Sequence, residues 1–182
     1  MKTVAIVLAA GKGSRMQADR PKQYLLLKEK PVLYYSLKTF EDSLIDEVVL
    51  VVGKGEIEYC KREIVEKYDF KKVTVITEGG KERYHSVYEG LRRIEIEKEG
   101  MTYVFIHDGA RPFITSELIS KLLKEVEEHK ACVAGMPVKD TIKLVDAKQF
   151  VTDTPDRRRV WLVQTPQVFE YKLVYESYEK IM

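Results

Sequence analysis

Five consecutive apolar residues, Val4 to Leu8, run straight into Ala9-Ala10-Gly11-Lys12-Gly13, and this junction constrains the fold more than any other part of the chain. A short run rich in Val and Ile suits a strand buried on both faces, the habit of parallel sheets. The small residues behind it leave backbone N–H groups uncovered, so a polyanion can approach the main chain closely. Cations gather at once, at Lys12, Arg15, Arg20 and Lys22. Arg15 offers a planar fork of donors and Lys22 a point charge. The chemistry is that of a phosphate cradle at the carboxyl end of a first strand. Ala9, Ala10, Gly11 and Gly13 form its backbone, and Arg15 and Lys22 are its candidate catalytic cations.

Two familiar glycine loops do not fit. The dinucleotide fingerprint needs Gly or Ala where Met16 stands. The P-loop needs Lys followed directly by Ser or Thr, whereas Gly13 separates Lys12 from Ser14. The pairing of LAAGKGSRM with PKQYL instead resembles nucleotidyltransferases that activate sugars or polyols, and specifically the 2-C-methyl-D-erythritol 4-phosphate cytidylyltransferase family.

A chain of 182 residues can bury the core of one domain, and 1–182 is expected to be one. A net charge of +2, from 31 basic and 29 acidic residues, attracts no polyanion globally, so a nucleotide site must be local. Basic and acidic residues alternate along the helical stretches, which argues against nucleic acid as a partner. Cys60 and Cys132 stand far apart without a CxxC spacing and read as reduced thiols. With no long apolar segment and no leader pattern, a cytoplasmic protein without membrane contact is expected.

Apolar β-rich runs recur at Val4–Leu8, Val48–Val52, Val73–Ile76, Tyr103–Ile106 and Cys132–Val138, with helical spacing at 32–42, 56–68, 82–98 and 116–130. Thr115 or Ser116 is placed to cap the last of these helices. The alternation predicts a three-layer α/β fold around a mainly parallel twisted sheet, with ligands beyond the carboxyl ends of the strands. The resemblance implies the Rossmann-like nucleotidyltransferase version, with a protruding β-arm. From 142 to 169 the pattern becomes polar and turn-rich. It reads either as an edge hairpin or, as the resemblance implies, as an arm that reaches a second subunit and makes a homodimer.

Other unusual residues fall where strands end. His107-Asp108-Gly109-Ala110-Arg111-Pro112 puts a carboxylate and a guanidinium just beyond a buried strand, where Asp108 can hold a ribose hydroxyl or a Mg²⁺-bound water and Arg111 can grip a phosphate. His107 reads as structural. Gly79-Gly80-Lys81-Glu82-Arg83-Tyr84-His85-Ser86 resembles the family element that holds cytosine, implying nucleotide contacts from Gly80, Lys81, Arg83 and Ser86. Tyr84 and Lys81 replace the smaller and acidic residues usual there. Pro137-Val138-Lys139-Asp140-Thr141 resembles the acceptor-side element, with Thr141 toward the substrate phosphate. Asp156-Arg157, ahead of Trp161 and Gln164-Thr165-Pro166-Gln167, resembles the arm motif whose arginine positions the acceptor in the partner's site, with Arg158 as the alternate, and Trp161 reads as an interface or core anchor.

The resemblance implies cytidylyl transfer from CTP to 2-C-methyl-D-erythritol 4-phosphate, giving CDP-methylerythritol and pyrophosphate for isoprenoid precursor synthesis, with Mg²⁺. Ribitol 5-phosphate as acceptor, a hexose 1-phosphate nucleotidyltransferase and a non-catalytic CTP-binding protein are the alternatives. The family pattern runs on past Met182 through a further strand bearing a lysine, so either a truncated or a reduced member is expected.

Overall fold

The computed structural model describes residues 1–11, 20–95 and 101–182. The first apolar run forms strand β1 (Lys2–Ala9). After a one-turn 3-10 helix at Lys22–Tyr24 come a minute hairpin, β2 (Leu26–Leu27) and β3 (Lys30–Pro31), and helix α1 (Val32–Glu41). Then follow β4 (Glu47–Val52), α2 (Ile57–Cys60), which continues in wider π winding through Lys61–Glu66, and β5 (Val73–Glu78). Helix α3 (Arg83–Leu91), β6 (Thr102–Asp108), α4 (Ser116–His129) and β7 (Ala131–Pro137) complete the alternating part. The chain closes with β8 (Leu144–Val145), β9 (Val151–Asp153), the long β10 (Trp161–Glu170) and α5 (Tyr171–Glu179).

The main sheet runs β5-β4-β1-β6-β10-β7. Strands β5, β4, β1 and β6 pair in parallel, and β10 lies antiparallel between β6 and β7. Alternate side chains of each central strand face opposite layers, as a period of two requires. Ala5, Val7, Leu50 and Phe105 pack with Leu33, Leu37, Ile64, Ile119 and Val126 from α1, the π-wound continuation of α2, and α4. Val4, Ile6, Val51 and Val104 pack with Val87, Leu91 and Val174 from α3 and α5. Three layers result. The chain leaves β1 toward β4 on one side, and β6 occupies the other, so the loops after β1 and β6 diverge. That is the switch point where open α/β sheets bind ligands.

Helix α3 is shorter than the 82–98 expected. Arg93 N–H donates to Gly90 O (3.1 Å) and Ile94 N–H to Leu91 O (3.2 Å), a tightening that ends the helix. Ile94 is thereby tucked into the core. Residues 96–98 lie outside the described residues. The 142–169 boundary also shifts. The outer part of β7, Gly135–Pro137, pairs with Trp161–Val163, whereas Gln167–Phe169 pair inside the main sheet with β6 and β7. The projecting part therefore begins near 135 and ends near 163. The segment is a distal β7/β10 ribbon with the β8–β9 hairpin beyond it, not an edge hairpin.

Close packing of α3 on β1 depends on Gly90, where an added Cβ would sit 2.7 Å from Ile6 Cγ2 and 3.2 Å from Val51 Cγ2. Gly90→Val is expected to destabilise the fold by about 1–3 kcal/mol, the usual scale of overpacking. A urea titration reads this as a lower midpoint at unchanged slope; an unchanged midpoint would mean that α3 can retreat freely.

Candidate functional site

β1 ends at Ala9, and Ala10 and Gly11 lead out over the sheet edge. Gly13 and Arg15, the remaining cradle glycine and the first catalytic candidate, lie outside the described residues. Lys22 is exposed at the start of its one-turn helix, between Pro21 and two buried residues. Gln23, 3% exposed, turns inward and its Nε2 donates to the carbonyls of Ala9 and Gly11. Tyr24 donates its hydroxyl to Glu56 (2.7 Å) and lies 3.0 Å from the Cys60 thiol. Burial raises the Tyr24 phenol pKa and pushes the Cys60 thiol up to about 11, so both stay protonated. Two buried anchors thus hold Lys22 against the end of β1.

The end of β6 gathers the densest polar network. Asp108 Oδ1 accepts from Arg83 Nε at 3.0 Å, and Oδ2 accepts from Arg111 Nε at 3.1 Å. The second guanidinium contacts come from β10: Arg83 Nη2 donates to Gln167 Oε1 at 3.2 Å, and Arg111 Nη1 donates to Gln164 Oε1. Both arginines are nearly half exposed. Exposed pairs of this kind contribute roughly 0–1 kcal/mol to stability, so the cluster makes better sense as binding chemistry.

His107 sits beneath it, 1% exposed, with Nε2 3.1 Å from Arg111 O and Nδ1 3.0 Å from Thr165 Oγ1. Burial lowers its pKa to about 4, so at neutral pH the ring is uncharged. It donates from Nε2 to the carbonyl and accepts at Nδ1 from the hydroxyl. Both nitrogens are engaged, which makes His107 a loop anchor. Ser36 of α1 supports the same loop from below, through Gly109 O (3.1 Å) and Arg111 O (3.2 Å).

The glycine pair after β5 closes the gap between these parts. A Cβ on Gly79 would meet Ala10 Cβ and Ser86 Oγ, both at 2.6 Å, so the loop touches the end of β1 only because glycine stands there. Ser86 is buried and its hydroxyl accepts from Gly80 N–H at 3.1 Å. It therefore shapes the loop from inside, while Lys81, Arg83 and Tyr84 are exposed. Glu82 and His85 form a capping box at the start of α3.

Thr141 and Arg157 are exposed on the arm, and Arg157 Nη1 donates to Lys139 O at 2.9 Å. Neither is hydrogen-bonded to Asp108 or Arg111 among the described residues. Arg158 is clamped by Asp156, with Nη2 at 2.6 Å, which leaves Arg157 the better placed of the pair for a ligand. Among the described residues no group of three or more His, Cys, Asp or Glu side chains could hold a metal. Asp108 is the cluster's carboxylate and both its oxygens already accept from guanidiniums. These residues do not fit a metal cage built by the protein. They fit a polyanion.

Sequence reasoning gave no role to Gln23 or Ser36, and it assigned Gln164-Thr165-Pro166-Gln167 to the arm motif, whereas the structure sets Gln164, Thr165 and Gln167 against Arg111, His107 and Arg83. Nothing within PKQY sets Gln23 apart, whereas Gln164-Thr165-Pro166-Gln167 interrupts an otherwise apolar run.

The model of the 2-C-methyl-D-erythritol 4-phosphate cytidylyltransferase family matches residues 3–182. A protein of that name from Lachnoclostridium phytofermentans is 51% identical over 180 residues, covering 99% of this chain and 76% of the relative. One from Lachnospira eligens is 50% identical over 178 residues, covering 97% and 76%. Among solved structures, the 4-diphosphocytidyl-2C-methyl-D-erythritol synthase of Anaerococcus prevotii superposes with a TM-score of 0.84 at 36% identity, over 99% of this chain and 74% of that one. The Francisella tularensis cytidylyltransferase gives 0.80 at 29% identity, over 99% and 77%.

Proposed function

The chain belongs to the 2-C-methyl-D-erythritol 4-phosphate cytidylyltransferase family, and from that premise we propose how its residues carry the family's reaction. The enzyme transfers the cytidylyl group of CTP to 2-C-methyl-D-erythritol 4-phosphate, in the pathway to isoprenoid precursors. A phosphate monoester oxygen of the acceptor bonds to the α-phosphorus as its bond to the bridging oxygen breaks, and pyrophosphate leaves. The monoester is already ionised, so no general base is required. The engagement of both His107 nitrogens accords with this.

Catalysis is then positioning and charge stabilisation. Lys22 and Arg15 stabilise charge developing on the phosphates beside the backbone of Ala9, Ala10, Gly11 and Gly13. Gly80, Lys81, Arg83, Ser86 and Asp108 hold or shape the nucleotide pocket, and Arg111, Thr141 and Arg157 position the acceptor. The observation that carries this assignment is the Arg83–Asp108–Arg111 cluster beside the end of β1: two cations share one carboxylate, leaving a net positive edge at the switch point. Mg²⁺ would come with the nucleotide, as MgCTP, and would offset charge on its phosphates, in accord with the poor fit of these side chains to a metal cage among the described residues.

The homodimer uses the arm. Its support is apolar surface that one chain leaves bare, with Trp161 58% and Val163 54% exposed on the ribbon and Phe150 69% exposed in the hairpin beyond it. Within one chain, among the described residues, Arg157 and Thr141 make no hydrogen bond to Asp108 or Arg111, in accord with a site completed by a second copy. The free thiols Cys60 and Cys132 support a reducing, cytoplasmic setting.

A pyrophosphate-release assay crossing CTP, ATP, GTP and UTP with methylerythritol phosphate and ribitol 5-phosphate tests the reading. CTP with methylerythritol phosphate is expected to exceed every other combination at least tenfold, about 1.4 kcal/mol of discrimination. Equal rates with ATP would sink the nucleotide assignment. A faster reaction with ribitol 5-phosphate would sink the acceptor.

A further inference from the structure

β10 crosses the site by an irregularity. Its ladder with β7 runs Trp161↔Pro137 to Val163↔Gly135, then resumes at Gln167↔Val133, so three residues of β10 stand against one of β7. Pro166 lies in this stretch, where a missing N–H costs the ladder nothing. The bulge and the first paired residue after it deliver three side chains to the end of β6: Gln164 to Arg111 and Thr165 to His107 from the bulge, and Gln167 to Arg83 from the resumed ladder. Each arginine thus has its Nε on Asp108 and one terminal nitrogen on a glutamine. Among the described residues, Nη1 of Arg83 and Nη2 of Arg111 make no hydrogen bond.

The choice of glutamine matters. A guanidinium held only through Nε can still swing its terminal nitrogens, and a second acceptor removes that freedom. A carboxylate would do so as well, but it would also cancel the charge. The cluster already contains one carboxylate for two arginines. Two more would turn its net charge from +1 to −1 and repel a phosphate. Neutral amide oxygens hold the arginines and leave the charge available.

We propose that Gln164 and Gln167 are positioning residues, Gln164 for the acceptor through Arg111 and Gln167 for the nucleotide through Arg83, each fixing its arginine without neutralising it. The proposal rests on the assignment of Arg111 to the acceptor and Arg83 to CTP. Its consequence is a sorted pair of effects from two residues three positions apart on one strand. A merely structural role for the bulge would move both ligands together.

Gln164→Met and Gln167→Met keep side-chain length and remove the acceptor, and Gln164→Glu keeps the acceptor and adds charge. Dissociation constants for CTP and for methylerythritol phosphate are measured by calorimetry, beside Arg83→Lys and Arg111→Lys as references. Rotation about the guanidinium Nε–Cζ bonds is followed by ¹⁵N NMR of arginine-labelled protein. Gln167→Met is expected to weaken CTP roughly five- to tenfold and spare the acceptor, and Gln164→Met the reverse, the scale of one ordinary net hydrogen bond, since each glutamine acts on its ligand only through an arginine. Rotation should quicken at the matching arginine only. Gln164→Glu should leave Arg111 slow yet weaken the acceptor.

If an arginine reference moves its ligand and the matching glutamine variant does not, the positioning role is overturned while the site assignment stands. If an arginine reference moves neither ligand, that assignment fails, and unchanged rotation in the methionine variants overturns the positioning role separately. Wild-type acceptor affinity in Gln164→Glu would overturn the charge argument. Should a methionine variant not fold, Gln164→Asn and Gln167→Asn, which withdraw the oxygen by one methylene, are read on the same two measurements.

Discussion

Lys22→Ala should lower the turnover of pyrophosphate release by roughly 10²–10³-fold, the scale of losing one preorganised donor to transition-state charge. The residue is exposed, so its removal opens no cavity. Its neighbours Gln23 and Tyr24 carry the anchoring bonds to Ala9, Gly11 and Glu56, and these do not involve the lysine side chain. The melting temperature should therefore hold while activity collapses. Lys22→Arg restores charge but replaces a compact ammonium by a longer planar fork, so only partial recovery is expected. Turnover within a few-fold of wild type in Lys22→Ala, with the fold intact, would remove Lys22 from the mechanism.

The contrast between Lys22 and Gln23 marks what the sequence could convey. A cation beside a glycine loop declares its chemistry by residue type, and so does the Asp108/Arg111 pair after a buried strand. An inward-turned amide declares nothing until its partners are known, and the partners of Gln23 lie 14 and 12 residues away. The strands β1, β4, β5 and β6 were legible because they are buried on both faces and read as continuous apolar runs.

β10 was obscured for two physical reasons. Its inner half carries Gln164, Thr165, Pro166 and Gln167, polar residues that serve the site and break the strand pattern. Its outer half is apolar yet exposed, so its periodicity does not report a core within this chain. Strand order was illegible for a third reason: nothing local says that β10 enters between β6 and β7. Fold class came from local pattern, and the clamp on the arginines came from tertiary pairing.

That same β10 makes the strongest test of how the site is completed. Arg157 and Thr141 lie beyond Gly135 and Val163 on the arm, whereas Lys22, Asp108 and Arg111 lie on the body of the domain, in its one-turn helix, at the end of β6 and in the loop that follows. If two copies pack arm to arm as a closed isologous pair, each site takes its body residues from one copy and Arg157 from the other. Lys22→Ala homodimers then carry a lesion in every site, and so do Arg157→Ala homodimers. In a heterodimer of the two, both lesions fall in one site and the second site contains neither. Random exchange puts half of the dimers in the mixed form, with one intact site of two, so about a quarter of wild-type activity should return from two nearly inactive parents. Native mass spectrometry counts the heterodimers in the same sample. Recovery in proportion to their fraction is the expected result; heterodimers present without recovery would place Arg157 in the site of its own chain, and a chain that stays monomeric at assay concentration would overturn the shared site altogether.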